Sequence, residues 1–106
     1  MIGTIVCVDD QAEVRRLLGD VFRAKGVNVV SFDDGEAAIG WLGANDADLV
    51  ILDLDLGANR RSGIEICRAI RGRLPDMPII ILTGHGTIDD AVAAVKAVEV
   101  EFITKV

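Results

Sequence analysis

Short apolar runs alternate with segments of helical periodicity along the whole chain. Each run holds mainly Val, Ile and Leu with few polar residues, which is typical of strands buried on both faces of a parallel sheet. The runs occupy residues 5–8, 27–32, 49–52, 79–82 and 100–103. The segments between them are long enough for right-handed crossover connections. The order βαβαβαβαβ therefore predicts an α/β fold, with a parallel sheet and helices on both of its faces.

The helical segments carry start and stop signals. The first has an apolar face at helical spacing, made of Val14, Leu17, Leu18, Val21 and Phe22. Asp10 can cap its N-terminus, and Gly26 follows where a left-handed residue would close the helix. A weaker helix is predicted over about 36–42, a third around Cys67 and a fourth from Asp89.

The composition of the 106 residues bounds the function. A hydrophobic content of 51% at this length predicts one domain with one core, spanning residues 1–106. The net charge of −6 argues against a protein that binds the phosphates of nucleic acid. No apolar run approaches the ~20 residues of a membrane span and no leading segment resembles a signal peptide, so we expect a cytoplasmic protein. Cys7 and Cys67 lack C-x-x-C spacing and are expected to be buried thiols.

Polar residues follow several of the apolar runs, at the point where each strand would end. Asp9 and Asp10 follow the first run, and Asp53 follows the third. Thr83 follows the fourth run, and Lys105 lies beyond the last. The carboxyl ends of parallel strands meet at one edge of a sheet, where open α/β folds bind their ligands. We therefore expect three carboxylates, a hydroxyl and an ammonium group to converge there.

These residue types suit phosphoryl transfer. A carboxylate such as Asp53 can accept a phosphoryl group directly if a divalent cation offsets the repulsion between the two anions. Magnesium prefers oxygen ligands and keeps several waters, so Asp9, Asp10 and Asp53 suffice as the protein's contribution. Thr83 and Lys105 can donate to phosphoryl oxygens. Three of these residues have ordinary alternatives, with Asp10 as a helix cap, Thr83 as a turn residue and Lys105 as a solvated surface residue.

In this order and on successive strands, the same five residues resemble the receiver (CheY-like) domain of bacterial two-component response regulators. The resemblance covers the whole chain. Residues 83–86 also read T-G-H-G, which is similar to a segment of receivers that control transcription factors. The resemblance implies a flavodoxin-like, doubly wound sheet of five parallel strands in the order 2-1-3-4-5.

The resemblance also implies roles for individual residues. Asp53 would be the phosphoacceptor, Asp10 and Asp53 would bind the cofactor Mg2+ directly, and Asp9 would bind it through water. The backbone carbonyl of Asp55 would complete the protein ligands. Phe102 matches the aromatic residue that changes rotamer on activation, with a plain strand hydrophobe as the alternative.

The implied function is a phosphorylation-controlled switch and not a metabolic enzyme. The phosphoryl donor would be a sensor histidine kinase. Thr83 and Lys105 would engage the phosphoryl group and bias the surface formed by the fourth helix and the last strand. That surface would control an output domain or a downstream protein, with transcription as the expected output. Beyond this, we expect at most slow self-phosphorylation and self-dephosphorylation, and no direct contact with nucleic acid or membrane.

Two other functions compete with this one. Asp53-Leu54-Asp55 resembles the D-x-D motif of haloacid-dehalogenase-type phosphatases, where the first Asp is the nucleophile and the second is a general acid/base. In that family the D-x-D motif lies on the first strand and the acidic pair comes last, which is the reverse of the order here. The third possibility is a pseudo-receiver, a receiver-shaped interaction module that is never phosphorylated.

The sequence ends before the fifth helix that the family usually has. Without that helix, inward-facing residues of the later strands are expected to meet water. These are drawn from Val50, Leu52, Ile79, Ile81 and their alternates. Exposing several such side chains costs roughly 1.5 to 3 kcal/mol each. We therefore expect the chain to associate, as a homodimer or a larger assembly.

Overall fold

The computed structural model describes residues 3–53, 56, 62–83 and 101–104. The strands are β1 (Thr4–Val8), β2 (Asn28–Phe32), β3 (Leu49–Asp53), β4 (Ile79–Thr83) and β5 (Glu101–Thr104). The helices are α1 (Ala12–Arg23), α2 (Gly35–Leu42) and α3 (Gly63–Arg73). Each lies where the sequence pattern predicts one, and the helix predicted from Asp89 lies outside the described residues. Within the described segments, no helix is long and apolar enough to cross a membrane.

The strands form one sheet of 5 strands in the order β2-β1-β3-β4-β5, and each neighbouring pair is parallel. Val6 of β1, for example, lies opposite Val30 of β2 and Val50 of β3. This doubly wound, flavodoxin-like order is the one that the resemblance implies, so the prediction is confirmed. The strand order reverses beside β1. The C-terminal ends of β1 and β3 therefore lie side by side at the switch point where such folds bind ligands.

The helices α2 and α3 pack against one face of the sheet. Alternate strand residues point to that face and form a buried cluster with the two helices. Its strand members are Val6, Val8, Val50, Leu52, Ile79 and Ile81, and its helix members are Ala38, Leu42, Ile66, Cys67 and Ile70. The expectation that the four named residues of β3 and β4 meet water is therefore wrong, since each is at most 3% exposed. The physical reason is strand parity, because these positions point toward α2 and α3.

The opposite face of the sheet carries α1, which packs against β1 and β2. Ile5 and Cys7 are buried on this face, whereas Leu82 is only half-buried. On α1 itself, Leu17 is 62% exposed and Val21 is 44% exposed. The incompletely covered apolar surface that the sequence predicts thus lies on the face that carries α1.

The helix boundaries follow local signals, with one exception. Asp34 and Ser62 cap α2 and α3 by accepting from backbone N–H groups of the first turn, at 3.1 and 3.3 Å. Gly26 has a φ of 80° after α1, the left-handed conformation predicted for it. The N-cap of α1 is Gln11 and not Asp10, and the Gln11 side chain makes no capping hydrogen bond in the described structure. The alternative role of Asp10 as the cap of α1 is therefore wrong.

Two side-chain contacts connect β1 and β2 to neighbouring segments of the chain. The Asp48 carboxylate holds the start of β1 by accepting from the backbone N–H groups of Gly3 at 2.8 Å and Thr4 at 2.9 Å. The hydrogen bonds from Thr4 and Gly3 hold the pKa of Asp48 below its usual value. At the end of β2, the Phe32 ring packs against Trp41 of α2, with ring centroids 6.3 Å apart. The first contact anchors the N-terminal edge of the sheet, and the second joins β2 to α2.

Both cysteines are buried thiols, as predicted. Burial raises the pKa of the Cys67 thiol to about 11, and the nearby Arg71 guanidinium acts in the opposite direction. A thiol with so high a pKa holds almost no thiolate at neutral pH, and the thiolate is the reactive form. Cys67 therefore serves the packing of α3.

Candidate functional site

Three aspartates lie together at the C-terminal edge of the sheet. Asp9 and Asp10 follow β1, Asp53 ends β3, and these two strands are neighbours. One carboxylate oxygen from each aspartate lies within 4.8 Å of those from the other two. Asp9 and Asp53 are 1% and 6% exposed, whereas Asp10 is exposed. The structure thus brings together the three carboxylates that the sequence places at this edge.

Asp9 is fixed by hydrogen bonds at its backbone and at its carboxylate. Its N–H donates to the Phe32 carbonyl at 3.1 Å, which extends the pairing of β1 with β2. Its Oδ1 accepts from the backbone N–H of Gln11 at 2.9 Å, a short-range turn that aspartate often forms. Its backbone carbonyl accepts from Nη1 of Arg15 at 2.7 Å. The position of Asp9 is therefore set by β2, by the turn that follows and by α1.

The register of β4 and β5 shows where their C-terminal ends lie relative to Asp53. Asp53 lies opposite Leu82 of β4, so the backbone of Thr83 extends one residue further along. Thr83 lies opposite Thr104, the last residue of β5. Lys105 follows Thr104 in the sequence. The end of β4, where Thr83 lies, is thus next to the strand that carries Asp53, and the end of β5 lies one strand further out.

The remaining predicted residues can be placed only in part. Phe102 lies within β5, opposite Ile81 of β4, and hence two residues before the end of the strand. Asp55 and Lys105 lie outside the described residues. The roles that the sequence assigns to these residues stay predictions.

The carboxylate cluster is a site of strong negative charge. Two ionised carboxylates within 4.8 Å repel by roughly 3 kcal/mol at an effective dielectric constant of about 20. A cation or a proton would relieve this repulsion. All three side chains offer oxygen, which is the ligand that Mg2+ and Ca2+ prefer over the nitrogen and sulfur ligands favoured by Zn2+. The donor set therefore fits a hard divalent cation.

Sequence reasoning did not single out Arg15. The early part of α1 carries both Arg15 and Arg16, although the positive end of a helix dipole disfavours cations. The structure shows a partner for Arg15, the Asp9 carbonyl, whereas Arg16 is exposed. A basic residue near the positive end of a helix, soon after an acidic loop, is the sequence signal that could have identified it.

The fold and the carboxylate cluster define a receiver-type domain. A family model described as the response regulator receiver domain matches residues 5–106. The chain belongs to this family of two-component systems, in which phosphorylation and Mg2+ binding are typical. The resemblance inferred from the sequence is confirmed, and the phosphatase alternative gains no support.

Two curated relatives are much longer than this chain. The chain is 30% identical over 105 residues to the nitrogen assimilation regulatory protein NtrX of Azorhizobium caulinodans, covering 99% of this chain and 23% of NtrX. It is 37% identical over 101 residues to the transcriptional regulatory protein GlrR of Escherichia coli, covering 95% of this chain and 22% of GlrR. The chain thus spans less than a quarter of the length of these relatives.

A solved structure of similar size is that of the response regulator TrrA from Thermotoga maritima, in complex with Mg2+-BeF. The TM-score is 0.84 and the sequence identity is 29%. The match covers 98% of this chain and 87% of TrrA. The similarity to TrrA therefore extends over the whole domain.

Proposed function

We propose that this chain is a single receiver domain, residues 1–106, that accepts a phosphoryl group on Asp53 from a sensor histidine kinase with Mg2+. The observation that carries this function is the cluster of the Asp9, Asp10 and Asp53 carboxylates within 4.8 Å of one another. Membership of the receiver family supports it, because phosphorylation is typical of that family.

Asp53 is the best placed of the three aspartates to act as the nucleophile. It ends β3, which lies between β1 and β4, so a group transferred to its carboxylate lies between the C-terminal ends of both neighbouring strands. The Oδ1 atom of Asp9 accepts from the Gln11 N–H at 2.9 Å, which ties that carboxylate to the turn before α1. Asp10 is exposed and therefore suits the binding of a hydrated cation.

In the proposed step, a carboxylate oxygen of Asp53 attacks the phosphorus atom of a phosphohistidine. A P–O bond to Asp53 forms as the P–N bond to the donor imidazole breaks. The imidazole leaves with the bonding electron pair and takes up a proton. Mg2+, when bound, offsets the charge on the transferring oxygens.

The ion would be held by oxygen ligands alone. Asp10 and Asp53 would bind it directly, Asp9 through water, and the backbone carbonyl of Asp55 would add a further ligand. The donor set of the described residues fits this assignment. The structure of the similar protein TrrA in complex with Mg2+-BeF supports the binding of Mg2+.

The phosphoryl group would then act as a switch. The Thr83 hydroxyl and the Lys105 ammonium group would donate to phosphoryl oxygens, and Phe102 would change rotamer in β5. Moving a switch from mostly off to mostly on takes roughly 3 to 5 kcal/mol. Two or three charge-assisted hydrogen bonds, at ~1.5 to 3 kcal/mol each, supply that difference.

The proposed partners are the kinase and an output domain or downstream protein that controls transcription. The regulators NtrX and GlrR, which contain a region similar to this chain, support a regulatory output. A net charge of −6 argues against direct contact of this chain with nucleic acid. We place the protein in the cytoplasm, with no enzymatic activity beyond slow self-phosphorylation and self-dephosphorylation, and as a homodimer or larger assembly.

Acetyl phosphate, a small phosphodonor, tests the function without the kinase. Intact-mass spectra of the treated chain should show one added phosphoryl group in MgCl2 and none in EDTA. Asp53→Asn should stay unmodified, whereas Asp46→Asn, at an exposed position before β3, should behave as the wild type. Hydroxylamine should remove the added group, since an acyl phosphate is labile to it. Modification of Asp53→Asn to the wild-type extent would show that another residue is the acceptor.

A further inference from the structure

We infer that Arg15 is a positioning residue, which holds the peptide group between Asp9 and Asp10 in the orientation that cation binding needs. This role rests on the proposed function of the carboxylate cluster. It is carried by the hydrogen bond from Nη1 of Arg15 to the backbone carbonyl of Asp9, at 2.7 Å. That distance lies at the short end of the range for N–H donors, as expected for a charged donor.

The Asp9 carbonyl belongs to the peptide group that leads into Asp10. Because a peptide group is planar, fixing its oxygen also fixes the direction in which the Asp10 backbone leaves. Two other polar groups of Asp9 have different partners, since its N–H donates to the Phe32 carbonyl and its Oδ1 accepts from the Gln11 N–H. Arg15 therefore supplies a restraint on the carbonyl that leads into Asp10.

The start of α1 makes this restraint important. Gln11 occupies the N-cap position but makes no capping hydrogen bond with its side chain in the described structure. The backbone N–H of Arg15 donates to the Gln11 carbonyl at 3.2 Å, and its side chain reaches back to Asp9. One residue thus ties the first turn of α1 to the loop that carries two of the three carboxylates.

The charge of Arg15 by itself would act against cation binding. A guanidinium group stays protonated in proteins and repels a nearby divalent cation. If Arg15 acted only through its charge, its removal would strengthen Mg2+ binding. If it acts by holding the peptide group, its removal weakens Mg2+ binding. The direction of the change therefore separates the two roles.

The test compares Arg15→Gln, Arg15→Lys and Arg16→Gln in the full chain. Arg16→Gln is the matched control, because it removes the same charge from the adjacent, exposed position of α1. Each variant is melted in EDTA and in a series of MgCl2 concentrations. The Mg2+-induced rise in Tm reports the affinity through linkage, and the melt in EDTA reports stability without the ion.

We expect Arg15→Gln to lower the affinity for Mg2+ about tenfold, as for other residues that orient metal ligands. Arg16→Gln should leave the affinity unchanged or raise it slightly. Arg15→Lys keeps a donor and should recover part of the loss. In Arg15→Gln, half-maximal phosphorylation of Asp53 by acetyl phosphate should need about tenfold more MgCl2, with the maximal rate near that of the wild type.

Several outcomes would overturn the role of Arg15. These are an unchanged or higher Mg2+ affinity in Arg15→Gln, an equal loss in Arg16→Gln, or a lower Tm in EDTA with an unaltered Mg2+-induced rise. Should Arg15→Gln not fold, Arg15→Met, which keeps an unbranched side chain but has no donor, takes its place and is judged by the same outcomes. A wild-type chain with neither a Mg2+ response nor phosphorylation would instead defeat the proposed function, and the role of Arg15 with it.

Discussion

The two faces of the sheet are covered to different degrees. Under α2 and α3, strand and helix side chains form a continuous buried cluster that includes Ile66 and Ile81. On the other face, Leu17 and Val21 of α1 leave much of their apolar surface exposed to water. Since burial of apolar surface is the main source of stability, the first face should hold the domain together. The second face retains apolar surface that association can still bury.

Substitutions on the two faces of the sheet should differ strongly in how much they lower the free energy of unfolding. Ile81→Ala removes a fully buried side chain and should lower the free energy of unfolding by about 2–5 kcal/mol. Leu17→Ala, on the exposed side of α1, should cost less than about 1 kcal/mol. Urea denaturation followed by circular dichroism measures both. Equal losses in the free energy of unfolding would mean that the two faces contribute equally to stability, which would contradict the difference described here.

Two glycines of α2 test how tightly the buried face is packed. A Cβ atom at Gly35 would lie 2.5 Å from Cγ1 and Cδ1 of Ile66. One at Gly40 would have no atom of the described structure within 4 Å beyond its own stretch of helix. Gly35→Ala should therefore lower the free energy of unfolding by about 1–3 kcal/mol. Gly40→Ala should raise it by up to about 1 kcal/mol, because Ala favours the helix. The same denaturation measurement applies, and shifts of the same sign would contradict the packing described for α2.

The strand positions could be predicted because their apolar runs are short, nearly continuous and followed by polar residues. The run that ends at Asp53 is an example, and parallel pairing then places Asp53 beside Asp9 and Asp10. Strand parity could not be predicted in the same way. A strand that is apolar on both faces has no alternation to show which of Val50 and Ile51 points toward α2 and α3.

The local contacts around α1 show a second limit of the sequence. Asp10 and Gln11 are adjacent, and the choice of N-cap depends on a backbone conformation that residue type alone does not fix. The partner of Arg15 likewise depends on the path of the loop after β1. Both are set when Asp9 accepts from Gln11 and Arg15, which only the folded geometry shows.

Self-association is the smallest of the expected effects. We expect the wild-type chain to scatter light as a dimer or larger at tens of micromolar. Leu17→Glu combined with Val21→Glu should weaken association by about 1 kcal/mol per side chain, because both are already partly buried. Arg68→Glu, at an exposed position of α3, alters the net charge by the same amount and should have no such effect. A wild-type monomer that binds no hydrophobic dye would remove the reason to expect association.

The contact between Phe32 and Trp41 gives the molecule a built-in optical reporter. Trp41 is the only tryptophan and the chain has no tyrosine, so one indole supplies nearly all of its ultraviolet fluorescence. The Trp41 ring packs against Phe32, whose carbonyl accepts the N–H of Asp9. The fluorophore is therefore two contacts away from the carboxylate cluster. A displacement of Asp9 or of β2 changes the surroundings of a single emitter, so events at the strand ends can be followed by emission in the unlabelled protein.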